Sequence, residues 1–481
     1  MILTCGLAMA ADWRQGEGYR SAALKVPPGG RPGFQRLLPP TTGIHFTNSL
    51  PWERFRTNQI LLNGSGVAAG DVDGDGWCDL YFCRLDGANA LYRNLSGWKF
   101  QEITTAAGVG CVGYVSTGAA LADLDGDGDL DLVVNTVGHG THIFINDGKG
   151  RFTERTKSAP LNPGKGGMSL ALGDVDGDGW LDLYVVNYRT GALMDMPNTR
   201  FWLKTIGGKK VISTVNGRPV TEPDLANRYI VNDLGGISEL GELDVLYLNQ
   251  GGTNLAAVSF LGGAFLDEDG RPLTILPYEW GLSAMIRDLN QDGLPDIYVC
   301  NDFDSPDRFW INQGQGRFRL APRLAMRKST MFSMAIDAAD LNRDGWDDLF
   351  ALDMLSRHRI QRLTTMPDSR TAAPVIGQID NRPQYMMNML FLNRGDGTYA
   401  EIGQLSQIRA SEWSWALACL DVDLDGWEDV LVSNGNERES RHMDVANQIK
   451  AMRAQRQMSI EDNFDARRLF PRYASANVAF R

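Results

Sequence analysis

The amino-acid sequence predicts an all-β protein, a β-propeller of four-stranded blades with partly helical insertions on one face. A nine-residue acidic segment occurs six times, and Asp71 and Asp123, which open its first two copies, are 52 residues apart. Short apolar runs of strand-like composition flank each copy. Units of this size cannot bury both faces alone, and radial stacking also protects their edges. A βαβ fold would need helical crossovers, and a β-solenoid usually has a shorter repeat, so both are disfavoured.

The first acidic segment, Asp71–Asp79, has the sequence DVDGDGWCD, with carboxylates at positions 1, 3, 5 and 9. Four negative charges this close repel each other, and a hard divalent cation removes the conflict. Ca²⁺ accepts roughly six to eight oxygen ligands, and the backbone carbonyl at position 7 is an expected one. An EF-hand is disfavoured because its loop has about 12 residues, ends in Glu and lies between helices.

We therefore predict up to six Ca²⁺ ions, one in each of acidic loops 1 to 6, which are residues 71–79, 123–131, 174–182, 288–296, 340–348 and 421–429. Asn290 and Asn342 replace Asp at position 3, which keeps an oxygen ligand and removes a charge. The predicted ligands are Asp71, Asp73, Asp75, Trp77 and Asp79; Asp123, Asp125, Asp127, Asp129 and Asp131; Asp174, Asp176, Asp178, Trp180 and Asp182; Asp288, Asn290, Asp292, Leu294 and Asp296; Asp340, Asn342, Asp344, Trp346 and Asp348; and Asp421, Asp423, Asp425, Trp427 and Asp429.

Each unit is predicted to have two strands around its acidic loop and then a third and a fourth strand. The third strand ends in Asn, as in residues 90–94 (ALYRN), and a Gly-rich turn follows in most units. A further strand is predicted at residues 42–47, which could complete the last blade.

The domain division is a leader at residues 1–42, with a possible signal-peptide remnant, followed by the propeller at residues 43–481. Long insertions near residues 189–242, 356–384 and 435–476 fall between the second and third strands of their units. Because strand directions alternate, these insertions are expected on the face opposite the acidic loops. The last one contains a helical apolar pattern that includes Ile449.

Composition restricts location and partners. The net charge is −12, and six Ca²⁺ ions would bring it to about zero, so the acidity belongs mostly to the predicted metal sites. Nucleic acid is an unexpected partner because no basic stripe is visible, and no apolar run is long enough for a transmembrane segment. Weak calcium loops function where calcium is millimolar, which favours a secreted or cell-surface protein, with the periplasm as an alternative.

Other candidate residues have simpler structural interpretations. His139 and His142 lie in a Gly-rich turn that we expect to be exposed rather than to bind zinc. The cluster of Asp302, Asp304, Asp307 and Arg308 is interpreted as a local turn network in preference to a ligand site. No catalytic or organic cofactor motif was found.

The unit GVAAGDVDGDGWCDLYFC, followed by ALYRN, resembles the FG-GAP/VCBS repeat family, which also forms integrin α-chain propellers. The stretches NDFDSPDRFWINQGQGRF and SEWSWALACLDVDLDGWEDVLVSNGNER resemble bacterial exported proteins related to cartilage acidic protein. That resemblance implies seven blades followed by an ASPIC/UnbV domain. Six acidic loops and a last strand that stops at Arg481 therefore predict a chain truncated at its C-terminus.

The function expected from these features is an exported calcium-binding module for adhesion to an extracellular protein or polysaccharide. The alternative is a polysaccharide lyase or hydrolase built on a propeller scaffold. An enzyme would need a base and a charge-neutralising group in one pocket. Six similar acidic loops single out no such centre, so binding is favoured over catalysis.

Overall fold

A computed structural model describes residues 14–16, 20–21, 34–156, 160–232, 235–303, 305–365, 381–456 and 458–481. Most of the predicted leader, part of the second predicted insertion and Asp304 lie outside these residues. Within them the chain is mostly β-strand, arranged as small antiparallel sheets. No helix among the described residues is long and apolar enough to cross a membrane.

Six blades follow one another along the chain, and each is numbered with its acidic loop. Their strands are Val67–Gly70, Asp79–Phe82, Ala90–Asn94 and Phe100–Glu102 in blade 1; Ser116–Ala122, Asp131–Thr136, Gly140–Asn146 and Phe152–Glu154 in blade 2; Gly167–Gly173, Asp182–Asn187, Val245–Asn249 and Leu255–Ala257 in blade 3; Gly281–Arg287, Asp296–Asn301, Arg308–Asn312 and Phe318–Leu320 in blade 4; Ile336–Ala339, Asp348–Ala351, Met389–Asn393 and Tyr399–Glu401 in blade 5; and Ser414–Leu420, Asp429–Asn434 and Val478–Phe480 in blade 6. Neighbouring strands are antiparallel, and Phe265–Leu266 adds a parallel fifth strand to blade 4.

Each acidic loop connects the first and second strands of its blade, as predicted. Position 9 opens the second strand and pairs with the last residue of the first strand, as in Asp79 opposite Gly70 and Asp182 opposite Gly173. The loop is therefore a hairpin connection whose two ends the sheet holds together.

The first strands of successive blades pack side by side from blade 1 to blade 6. Buried apolar clusters fill the spaces between neighbouring blades, for example Tyr184 and Val186 of blade 3 with Val299 and Trp310 of blade 4. This arrangement, together with the repeated four-stranded sheets, is that of a β-propeller. Burial of these side chains stabilises the fold by about 1.5–3 kcal/mol for each large residue.

A separate apolar cluster crosses between blades at the end opposite the acidic loops. It contains Tyr188, Trp280, Phe332 and Met334, which come from three different blades or the segments leading into them. Ile60 of the 3₁₀ helix Gln59–Asn63 packs into the same cluster, so the segment before blade 1 contributes to the core.

The predicted strand at residues 42–47 was wrong. A short helix, Pro39–Thr42, ends at Gly43 with φ of 78°, and irregular backbone follows. Proline fixes φ and favours the first helical turn, which accounts for the helix that takes up Thr42; residues 43–47 belong to no strand of the described chain. Phe46 stacks on Phe82 at 4.9 Å, so this segment packs on blade 1 and does not complete blade 6.

Long connections join the second and third strands in blades 3, 5 and 6. In blade 3 the connection holds the 3₁₀ helix Leu193–Asp195, a sheet of Phe201–Ile206, Lys209–Val215 and Arg218–Pro219, and the pair Tyr229–Val231 and Ile237–Glu239. In blade 5 it holds helix Arg359–Thr364 and strand Gln384–Tyr385, which pairs with Ser329–Thr330. In blade 6 it holds helices Met443–Gln455 and Ile460–Asp465 and the 3₁₀ helix Ala466–Leu469. Helices Trp52–Phe55 and Thr104–Ala107 and the strand pair Arg14–Gln15 and Arg20–Ser21 are the remaining elements.

The helical connection of blade 6 contacts two earlier parts of the chain. Ile449 is buried against Met458 and Ala466 inside this connection, as the apolar pattern predicted. Arg467 donates to Asp195 at 3.2 Å, and Arg56 forms an ion pair with Asp465 at 3.5 Å. The connections of blades 3 and 6 are thus in direct contact.

Candidate functional site

The acidic loops share one backbone conformation set by the carboxylate at position 1. In loop 1, Asp71 accepts hydrogen bonds from the N–H of Gly74 at 2.9 Å and of Gly76 at 2.7 Å. The bond from position 6 recurs in every other loop, at 2.7–3.1 Å. These bonds turn the loop around its first carboxylate.

The backbone conformation at position 6 explains why this residue is glycine in all six loops. Its φ lies between 85° and 93° in each of them, a left-handed conformation that costs glycine little. Position 4 is also left-handed, and there Gln291, Arg343 and Leu424 replace glycine in loops 4, 5 and 6. The fixed glycine therefore reflects backbone geometry.

Carboxylate oxygens converge in four of the loops. In each, oxygens from three Asp side chains lie within 4.8 Å of one another: Asp71, Asp73 and Asp79; Asp123, Asp125 and Asp127; Asp174, Asp176 and Asp182; and Asp421, Asp423 and Asp425. In loops 4 and 5 the position 3 amides, Asn290 and Asn342, donate to the position 5 carboxylates at 3.0 and 2.9 Å. Position 7 donates its N–H to the position 5 carboxylate, as in Trp77 to Asp75 at 2.9 Å.

The carboxylate at position 9 is the most buried member of each loop. In loop 3, Asp182 accepts from Val175 N–H at 2.8 Å and from Asn249 N–H at 2.8 Å. Burial raises the pKa of Asp182 to about 6, despite these bonds. In loop 4 burial raises the pKa of Asp296 to about 7. Packing alone therefore does not stabilise the ionised form of these groups.

The loop residues fit a Ca²⁺ ion. Asp73 Oδ1 and Asp125 Oδ1, both at position 3, are buried and accept no hydrogen bond from any described residue. A carboxylate oxygen left in this state is costly unless it is paired. The atoms that the loops offer to a metal are carboxylate, amide or carbonyl oxygens, which are the ligands that Ca²⁺ prefers.

In two of the loops, predicted metal ligands already contact a cation of the chain itself. Arg93, on the third strand of blade 1, pairs with Asp73 and with Asp75, the latter at 3.1 Å. Arg481 pairs in the same way with Asp423 at 2.7 Å and Asp425 at 3.1 Å. The other four blades place Ile145, Leu248, Ile311 or Leu392 at this position. Loops 1 and 6 therefore differ electrostatically from the rest.

The Asn that ends the third strand of blades 1 to 5 is a structural residue whose role the sequence prediction missed. In blade 4 the side-chain amide of Asn312 donates to Pro295 O of its own loop at 2.9 Å and to Val175 O of loop 3 at 2.8 Å. Asn146, Asn249 and Asn393 bridge to the preceding loop in the same way. Loops 1 to 5 are thus linked in series. The repeated Asn was visible in the sequence, but its partner in another blade was not.

A second set of polar residues lies just before the third strand, at the other end of the blades. Asn89, Asp244, Asp307, Asn388 and Asn477 each accept the N–H of the residue five positions after the end of their acidic loop. Burial raises the pKa of Asp307 to about 6 and that of Asp244 to about 7.

The side chains of Asp302, Asp307 and Arg308 each contact different residues. Asp302 accepts from Tyr188 OH at 2.7 Å and from Phe303 N–H at 2.9 Å. Arg308 forms an ion pair with Glu279. The contacts of Asp307 and Asp302 with nearby backbone agree with the predicted turn network.

The expected exposed position of the two histidines was wrong for His142. It lies on the third strand of blade 2, is buried, and its Nδ1 hydrogen-bonds Glu154 at 2.8 Å. Tyr114 stacks on His142 at 4.6 Å and on His139 at 4.9 Å. In this blade the third strand begins at Gly140, earlier than the sequence suggested, so Thr141 and His142 lie in the sheet, while Gly138 and His139 form the turn before it.

Comparison with known proteins agrees with the repeat. The FG-GAP-like repeat family matches residues 71–134, 123–185 and 288–351. Cartilage acidic protein 1 of Xenopus tropicalis is 26% identical over 343 residues, 65% of this chain and 51% of that protein. The Homo sapiens protein is 25% identical over 61% of this chain and 48% of its own length. The chain thus spans about half the length of the curated relatives it matches.

Among solved structures, an Agrocybe aegerita lectin that recognises non-reducing terminal N-acetylglucosamine is 17% identical with a TM-score of 0.32, over 78% of this chain and 89% of that one. The Vibrio cholerae biofilm matrix protein Bap1 is 14% identical with a TM-score of 0.29, over 77% and 76%. Both TM-scores are low. The chain therefore contains FG-GAP-like repeats, and its repeated four-stranded blades have the arrangement of a β-propeller.

Proposed function

We propose that this chain is an exported, calcium-stabilised β-propeller that serves as a binding or adhesion module for an extracellular protein or polysaccharide. The observation that carries the proposal is the convergence of carboxylate oxygens in the repeated acidic loops. Carboxylates at positions 1 and 3 converge with a third carboxylate on blades 1, 2, 3 and 6, so the metal would belong to the scaffold and not to one blade.

Position 9 connects the candidate metal centre to the sheet. In loop 3, Asp182 is the first residue of the second strand and pairs with Gly173, the last residue of the first strand. A cation held by Asp174, Asp176 and Asp182 would neutralise three converging carboxylates and hold these two strands together. Its binding free energy would then contribute directly to folding.

The contacts of the charged side chains outside the acidic loops favour binding over catalysis. Arg308, a candidate for a charge-neutralising role, is engaged with Glu279. Asp302 is buried and accepts from Tyr188 and Phe303. These groups act as structural contacts, and the six similar loops offer no single reactive centre.

Export follows from the calcium requirement. Exposed loops of this kind bind Ca²⁺ usefully where the ion is millimolar, as it is outside cells. The relatives of similar sequence are cartilage acidic proteins, which agrees with an extracellular location for this chain.

The metal can be tested with Tb³⁺, which replaces Ca²⁺ and is excited through nearby tryptophan. Trp77, Trp180, Trp346 and Trp427 occupy position 7 of four loops. We expect sensitised Tb³⁺ emission that Ca²⁺ displaces, and a fall in Tm of more than about 10 °C on chelation, since several sites contribute about 2–3 kcal/mol each when saturated.

The variant Asp174→Asn/Asp176→Asn should lower the calcium-dependent rise in Tm, whereas the exposed Asp269→Asn should not. Unchanged Tm in chelator, with no Tb³⁺ emission, would contradict the metal assignment and with it the proposed function.

A further inference from the structure

The connection between the second and third strands of blade 3 carries a projecting hairpin of unusual composition. Strands Phe201–Ile206 and Lys209–Val215 are joined through Gly207 and Gly208. Residues 202–210 are all exposed and include Lys204, Lys209 and Lys210 without any acidic residue. The chain as a whole has a net charge of −12, so this is a local reversal of sign.

The hairpin rests on a rigid base. Ile212 and Val215 are buried with Leu225 and Tyr229 in a small core of their own, and Phe201 packs edge-on against Tyr229 at 5.1 Å. Beneath this core, Arg228 pairs with Glu239 at 2.8 Å and Trp280 of the blade 3–4 region donates to Glu239 O at 3.2 Å. The projecting part is therefore held in one orientation relative to the propeller.

One face of the hairpin combines apolar and basic side chains. Residues alternate between the two faces of a strand, so Trp202, Lys204 and Ile206 share the face turned away from the small core. The cross-strand pairs Ile206–Lys209 and Lys204–Val211 add Lys209 and Val211 to it. Trp202 is 48% exposed and Ile206 is 56% exposed, which is high for large apolar side chains of a folded protein.

We propose that this face, the hairpin face, binds an acidic polysaccharide. The indole of Trp202 offers a flat apolar surface to a sugar ring, and Lys204 and Lys209 offer ammonium groups to its carboxylates or sulfates. A linear polymer can lie along the strand direction, where Trp202, Lys204 and Ile206 follow each other. This proposal rests on the proposed binding function and adds its ligand class and its surface.

An extended peptide is a weaker fit to the same surface. Strand Phe201–Ile206 is the edge of its sheet, and an edge can accept an added strand. However, Lys204 lies in the middle of this edge, and lysine at that place is a common means of preventing strand addition. The bulge at Ser213 of the neighbouring strand, opposite Trp202 and Leu203, also disturbs the flat ladder that an added strand needs.

The test is equilibrium binding of the calcium-saturated full chain to heparin and hyaluronate, which separate sulfated from carboxylated polymers, with dextran as a neutral control. We expect binding to at least one acidic polymer, none to dextran, and weakening as NaCl is raised, because exposed ion pairs are screened. Lys204→Ala/Lys209→Ala should weaken binding about fivefold, the combined effect of two exposed ion pairs, whereas Lys210→Ala should have a smaller effect because Lys210 pairs with Thr205 on the opposite face of the hairpin.

Two further variants separate charge from packing. Lys204→Arg/Lys209→Arg should keep most of the affinity, and Trp202→Ala should lower it several-fold. The matched control is Trp98→Ala/Lys99→Ala, an exposed Trp-Lys pair on blade 1, which should bind like the natural chain. Each variant is checked for an unchanged rise in Tm on calcium addition, so that unfolding is not mistaken for lost binding.

Three results would overturn the inference: no binding to either acidic polymer, binding that the hairpin variants leave unchanged, or equal affinity for duplex DNA or for phosphatidylserine vesicles. In all three the calcium response of Tm and of Tb³⁺ emission can remain intact. The hairpin inference can therefore fail while the proposal of a calcium-stabilised module holds. Loss of the calcium response, with binding to an acidic polymer retained, would contradict the calcium proposal and not the hairpin inference.

Discussion

The two ends of the third strand stabilise the propeller in different ways. At the acidic-loop end the strand closes with Asn in blades 1 to 5, and in blades 2 to 5 this side chain reaches back to the preceding loop. At the other end the residue before the strand contacts the segment that leads into the next blade, as Asn89 does with Ser116 at 2.9 Å and Asp307 with Ser333 at 3.1 Å. One strand thus connects its blade to both neighbours.

The two ends of the third strand differ in which residue types they allow. The closing Asn donates to two carbonyls and also accepts from the following turn, as in Gly314 N–H to Asn312 at 2.9 Å, and only an amide can do both. The opposite residue mainly has to accept, so Asn and Asp both occur. Where it is Asp, burial raises its pKa. Repetition is therefore strict where the side chain must both donate and accept, and relaxed where it mainly accepts.

The largest expected effect tests the bridge between loops. Asn312→Ala removes two donated bonds and one accepted bond at a buried position, and leaves Val175 O and Pro295 O without this donor. We expect a loss of about 2–4 kcal/mol in the free energy of unfolding, measured in urea with saturating calcium. Asn94→Ala is the matched control, because the Asn94 amide donates only to Cys78 O of its own loop. It should cost about 1–2 kcal/mol, and equal losses would contradict the bridging role.

The second prediction concerns the opposite end. The pKa of Asp307 is about 6 in the folded protein, above its ordinary value of 3.8, because of burial. The folded chain therefore retains a proton that the unfolded chain releases, and stability from this group is full below about pH 4 and is lost as the pH rises to about 6. The difference amounts to about 2–3 kcal/mol.

Asp307→Asn should remove this part of the pH dependence, because the amide is neutral and Asn89 already makes the equivalent contacts with Tyr81 at 2.7 Å and Ser116. Thermal unfolding from pH 4 to pH 7 with saturating calcium should show a flatter profile and a higher Tm at pH 7 than the natural chain. The exposed Asp269→Asn should leave the profile unchanged. A profile as steep as that of the natural chain would mean that other groups carry the dependence.

The smallest expected effect compares the acidic loops with one another. Arg93 pairs with Asp73 and Asp75, so its guanidinium competes with a cation for the same carboxylates. Arg93→Leu, which introduces the residue type of blades 3 and 5, should increase the Ca²⁺ affinity of loop 1 by a few-fold. The fluorescence of Trp77 reports calcium binding to this loop in a background with Trp180, Trp346 and Trp427 changed to Phe. The affinity of Arg93→Lys should lie between those of the natural chain and Arg93→Leu. An unchanged or lower affinity would show that the arginine supports the site.

The acidic loops and the order of strands around them could be predicted because both are local. Asp71, Gly76 and Asp79 are fixed by hydrogen bonds within nine residues, and the alternation of the flanking strands is read directly from the sequence. The helix around Ile449 was predictable for the same reason. The prediction failed at His142, where blade 2 extends its third strand, and at residues 42–47, where Thr42 ends a short helix and irregular backbone follows.

The sequence by itself determined that a loop of alternating carboxylates recurs and that a hairpin of strands encloses each copy, since a repeat and its spacing need no knowledge of distant residues. Only the tertiary structure decided which loop each closing Asn reaches, that Arg93 lies against Asp73, and that the lysines of residues 204–210 share a rigid, exposed hairpin with Trp202. These contacts join residues far apart in the chain, and packing of one blade on the next, together with the separate core under the hairpin, sets them.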